Sequence, residues 1–197
     1  MPIQLIIKRT VEYVKANPEK AAKIATAVGT GLTFIATNLG STFEKNRLRK
    51  KEKLEEGGFP YRKERLIRYS SEIQKQFPDM QKKKLFFHLL EVEDIIQAVN
   101  NDIKNTIKVN PALILKKELK AWKDIQDGIV RTMENLDYEE LLLVYNDSTY
   151  KSDYLEGFNL YIETINKLME EGDKKKIHLY IKEITNKPMS KIERDFL

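Results

Sequence analysis

For twenty residues, from Ile24 to Phe43, the chain carries no charged side chain, and a basic run, EKNRLRKKEK, follows at once. Elsewhere 33% of the residues are charged, so this gap sets one segment apart from the rest. About 20 residues is also the length that a helix needs to cross a bilayer. Within the gap Ile24, Val28, Leu32, Ile35, Leu39 and Phe43 recur at steps of three or four, which places them on one stripe of a helix. The flanks of that stripe hold Ala, Gly and Thr. Ala25 and Gly29, four apart, and Gly31 beside them are small enough to let a second helix approach closely. Three readings follow: a membrane span, a seam packed on protein or on a copy of the chain, and a helix lying in the membrane interface. A stripe that is apolar on one side only, with threonines around it, leaves all three open.

The charge distribution sharpens this. Residues 1–58 hold 11 Lys and Arg against 6 Asp and Glu, whereas residues 59–197 balance at 24 and 24. The whole excess of +5 therefore sits beside the uncharged window. Arg47, Arg49, Lys50, Lys51 and Lys53 are the natural contacts for anionic lipid headgroups or an acidic partner. A second basic stretch, Tyr61 to Tyr69, interleaves aromatics with cations, a mixture also used on nucleic acids. The balanced body makes nucleic acid the less favoured partner.

Gly and Pro are few, 8 and 6, which favours long helices over strands and tight turns. The expected fold is all-α: a short amphipathic helix over 3–16, a long N-terminal helix from the Asn17-Pro18 start to about Glu56, then a bundle of about five helices. Gly57-Gly58 and Phe59-Pro60 read as the stop of the long helix and as the boundary between an N-terminal segment, 1–58, and a bundle domain, 59–197. In the bundle, the spacing predicts a helix from Tyr61 to Gln76 and a second, capped by Asp79, to about Lys108. A third starts at Asn110-Pro111 and runs to about Leu136. A fourth starts at the capping-box-like Asp137-x-x-Glu140, and a fifth spans about 153–171 up to Gly172. The last stretches, KKKIHLYIKEIT and SKIERDFL, read as helices, with IHLYI also compatible with a short strand.

Catalytic chemistry finds little to stand on. There is no cysteine, hence no thiol nucleophile, thiolate metal site or disulfide. No Gly-rich phosphate loop and no nucleophile elbow occur. His88 and Glu91 are one helical turn apart, but no second His-Glu pair matches them, so they read as core-edge neighbours rather than metal ligands. No catalytic, cofactor or metal residue is assigned. The expectation is a non-enzymatic scaffold or adaptor, tethered to a membrane or self-assembled through 18–56, that presents a helical body to a protein partner. Its body would be cytoplasmic, at the inner face of the cell membrane, since no secretory signal is evident at MPIQLII. The rival readings are a nucleic-acid-binding regulator using 45–53 and 61–69, and a membrane-perturbing effector whose small-residue helix forms pores.

Overall fold

The computed structural model describes residues 41–147, 149–151 and 159–197. These form six α-helices: α1 Ser41–Arg68, α2 Lys82–Asn105, α3 Val109–Asn146, α4 Asn159–Glu170, α5 Lys174–Thr185 and α6 Met189–Asp195. The fold is all-α, and the described residues contain no strand. IHLYI belongs to α5, where Asp173 caps the start by accepting from the Lys176 N–H at 3.1 Å. The stripe at Ile24, Val28, Leu32, Ile35 and Leu39, with Ala25, Gly29 and Gly31, lies outside the described residues, as do the helix expected over 3–16 and the start at Asn17-Pro18.

The chain divides into two compact units. One runs Leu39–Met133, and the other includes Glu134–Leu197. In the first, the periodicity of α2 translates directly into burial: Leu85, Phe86, Leu89, Leu90, Val92, Ile95, Ile96 and Val99 are all buried. From α3, Leu115, Trp122, Ile125, Ile129 and Met133 join the core. Trp122 stands edge-on to Tyr69 at 5.5 Å between ring centres, the arrangement that aromatic quadrupoles favour. In the second unit, Ile165 of α4, Ile177 and Ile181 of α5, and Ile192 and Phe196 close a smaller core on Tyr138 and Leu141.

Four local expectations change. The glycine pair does not end α1. Gly58 takes φ 50° and ψ −133°, a backbone state open to glycine and not to residues with a Cβ, and the helix resumes beyond it across Pro60. The break is therefore a kink inside the first unit. Gly57 is needed for a different reason: a Cβ there would lie 2.6 Å from the Tyr61 Cβ. After Arg68 the chain passes through a π turn, Tyr69–Ile73, and a 3-10 helix, Gln74–Asp79. Asp79 does not cap α2. Met80 is extended and buried, and Gln81 occupies the cap position, so the helix starts two residues later than expected. Finally, α3 is continuous from Val109 to Asn146. Asp137-x-x-Glu140 fits a helix start in composition. With no Gly or Pro near Leu136 to stop the hydrogen-bond ladder, adding each residue costs less than renucleating a helix.

Candidate functional site

The kink at Gly58 assembles the charged centre of the first unit. Lys50 lies before it and Arg65 after it. In a straight helix these residues would stand about 22 Å apart along the axis. Here both reach one carboxylate on α2: Lys50 Nζ donates to Glu91 Oε2 at 2.7 Å, and Arg65 Nε donates to Oε1 at 2.7 Å. The Tyr69 hydroxyl lies 3.2 Å from Oε2 and 2.9 Å from His88 Nδ1. Glu91 is buried, which alone would raise its pKa, but Lys50 and Arg65 outweigh burial and hold it below the usual carboxylate range. His88 is pushed the other way. Burial, aided by the positive charges of Lys50, Arg65 and Lys84, lowers its pKa to about 4 against the pull of Glu91, so the ring is neutral at pH 7. The Tyr69 phenol is raised, first by burial and then by Glu91, and stays protonated.

Two further ion pairs flank this hub. Arg47 makes a bidentate contact with Asp94, Nε to Oδ2 at 3.1 Å and Nη2 to Oδ1 at 3.0 Å. Arg62, buried to 2% exposure, holds Glu118 of α3 at 2.8 Å and Asp102 of α2 at 2.7 Å. Burial opposes the Arg62 charge, but the two carboxylates more than offset that and raise its pKa. Glu93 shows the contrary case. Burial first, and Asp94 second, raise its carboxyl to about 7, with Gln126 as its 3.4 Å neighbour.

Between α1 and α2, above this network, opens a cleft of about 610 Å³. Its floor is apolar, built from Leu54, Phe87, Leu90 and Ile95. Arg47, Arg49, Lys50, Lys51, Lys53 and Lys83 stand around it, and Glu91 and Asp94 are its acids. Arg47 and Lys50 are neutralised by those acids. Arg49, Lys51, Lys53 and Lys83 are exposed and have no carboxylate partner among the described residues. The five cations singled out from sequence thus divide: two build the fold and three rim a cleft. A cavity of this size, with an apolar floor under a rim of six cations and two acids, has the make-up of a binding site.

The second basic stretch is largely consumed by structure. Arg62 and Arg65 face carboxylates, and Arg68 lies 3.7 Å from Glu72 on the surface. Sequence reasoning missed Tyr61, Lys83, Phe87 and Asp94 as cleft residues. Their only local signal was an ordinary amphipathic pattern, and they meet only when α1 folds on α2. His88 and Glu91, weighed as a pair from their spacing, do lie together, bridged by Tyr69. Among the described residues no group of three or more acids and histidines is placed to hold a metal ion, and no helix is long and apolar enough to cross a membrane. No family model, curated protein or solved structure matches the chain.

Proposed function

We propose that the protein is a non-enzymatic helical adaptor whose α1–α2 cleft docks an acidic, amphipathic protein segment. The observation that carries this reading is the pairing of an apolar floor with Arg49, Lys51, Lys53 and Lys83, cations that no carboxylate of the described residues neutralises. A partner helix with leucines on one face and glutamates along its edges would bury the former on Leu54 and Leu90 and meet the latter with the rim charges. Rim charges of this kind govern association rate and salt sensitivity more than residence time. The stripe from Ile24 to Phe43 supplies the attachment, to a membrane or to a second copy, and holds the body where the partner is.

The test is fluorescence anisotropy of a labelled amphipathic peptide bearing glutamates on one face and leucines on the other. Salt-sensitive binding that is lost in Lys51→Glu/Lys53→Glu supports the reading. Absence of binding, or binding indifferent to charge reversal, refutes it. The attachment is checked separately: full-length protein stays with membranes through alkaline carbonate, or self-associates, and Leu32→Glu/Ile35→Glu abolishes either behaviour.

A further inference from the structure

We infer that the turn between α2 and α3 is a membrane-contacting tip that inserts into an anionic lipid surface. The proposal is independent of the cleft and rests on a different part of the first unit. Four large apolar side chains are left in solvent there: Ile107 at 99% exposure, Val109 at 73%, Leu113 at 53% and Ile114 at 57%. They are not the outer edge of the core. The buried face of α3 runs through Leu115, Trp122, Ile125 and Ile129, and Val109 and Leu113, one turn apart, lie off that stripe. Ile107 sits in the turn itself, beyond the last residue of α2 and before the first of α3. Clusters of exposed apolar residues mark contact surfaces, whereas isolated ones do not.

Charge selects the occupant. Lys104, Lys108, Lys116 and Lys117 lie within about a turn of these apolar residues, Lys120 and Lys123 continue the basic run along α3, and all six are exposed. From Ile103 to Lys123 the sole acid is Glu118, which is buried and already held by Arg62. Asp102, just before the turn, has a side chain 47% exposed, but its carboxylate is paired with Arg62 at 2.7 Å. The tip therefore offers apolar side chains flanked by lysines, with its nearest carboxylates, Asp102 and Glu118, both held by Arg62. Apolar residues entering the acyl boundary beneath a belt of cations is the chemistry of interfacial membrane binding. A nucleic acid would use the lysines and leave Ile107, Leu113 and Ile114 in water. The turn is also suited to insertion because its polar backbone is partly satisfied internally: the Thr106 N–H bonds to the Ile103 carbonyl at 3.3 Å and its hydroxyl to the Asp102 carbonyl at 2.6 Å.

The chain has no cysteine, so Ile107→Cys gives a single attachment point for an environment-sensitive nitrobenzoxadiazole label in the full-length protein. Gln76→Cys, exposed and in the same unit, is the reference position. The probe is phosphatidylcholine vesicles with about 30% phosphatidylserine, against phosphatidylcholine alone. Emission of the Ile107 label shifts to the blue and becomes shielded from an aqueous quencher on anionic vesicles, while the Gln76 label stays in water. Replacing Lys104, Lys108 and Lys116 by Gln weakens this response roughly 100-fold, about fivefold per lysine. Unchanged Trp122 emission shows that the variants are folded. If the protein sediments with vesicles while the Ile107 label stays wet, membrane contact lies in another segment and the proposal fails. Equal insertion into neutral vesicles overturns it as well. So does shielding of the label without lipid, either rising with protein concentration or caused by the acidic peptide, because a protein surface would then be the occupant.

Discussion

Glu91 is the acid on which two segments of α1 converge, and removing its charge should unfold the first unit well before any apolar substitution at the surface would. The carboxylate is 5% exposed and its partners are not equivalent: the Lys50 side chain is 48% exposed and the Arg65 side chain 14%. In Glu91→Gln, Lys50 can turn into water at little cost, as exposed pairs are worth about 0–1 kcal/mol. Arg65 cannot, since it is packed over the Tyr69 ring at 5.3 Å. Leaving one member of a buried pair uncompensated costs about 3–5 kcal/mol, and the partial exposure of Arg65 puts this case near 3 kcal/mol. The unit Leu39–Met133 falls in the size range where 1 kcal/mol moves Tm by about 4–8 °C, so the variant should melt roughly 12–24 °C lower. The assay is urea and thermal unfolding followed by Trp122, the only tryptophan, which is fully buried in this unit. The cycle is completed with Glu91→Leu, Arg65→Met and the pair together. Removing both charges should recover most of the loss, because the penalty comes from the orphaned group and not from absence of the pair. A loss under about 1 kcal/mol in Glu91→Gln, or a double variant as unstable as the sum of its singles, refutes the reasoning.

Stability should depend on pH through two groups of opposite sign. His88, held near 4 in the fold against 6.5 unfolded, contributes stability that is complete above pH 6.5 and lost as pH falls toward 4; His88→Gln flattens that window in acid titrations of Tm. Glu93, raised to about 7 from 4.5, contributes stability that is complete below pH 4.5 and lost as pH rises through 7, so Glu93→Gln should raise Tm at pH 8 and leave it nearly unchanged at pH 4. Gly58→Ala forces a Cβ into φ 50° and should cost about 1–3 kcal/mol by urea unfolding, whereas a straightened helix indifferent to the change would show no loss. In the second unit, Asp173→Ala removes the α5 cap and should lower stability by about 1 kcal/mol, measured as faster amide exchange in Lys174–Thr185.

The parts of this fold that could be read directly are those decided within one or two helical turns. Apolar residues three and four apart in α2 and α3 mark a buried stripe wherever the helices pack, and Gly172, at φ 71°, punctuates the chain as its type allows. The misreadings are local too, but they are competitions in which context cast the deciding vote. Asp137 has the chemistry of a cap, yet a helix already running from Val109 passes through it. Gly57-Gly58 has the chemistry of a stop, yet α1 resumes because both of its segments find partners on α2. The candidate site lay beyond such reasoning almost entirely. Arg47 to Asp94, Lys50 to Glu91 and Arg62 to Glu118 join residues 47, 41 and 56 positions apart. Nothing in the spacing of Lys50 and Lys51 says that one will be neutralised and the other left facing a cleft. Composition and periodicity settled that this chain is helical, where its cations are concentrated and which faces are apolar, because propensity and side-chain repeat act along the backbone. Which cations are spent on the core, which rim the α1–α2 cleft, and which apolar residues at the α2–α3 turn are left in water were decided only by the packing of α1, α2 and α3, since ion pairs and burial depend on neighbours that the linear order does not name.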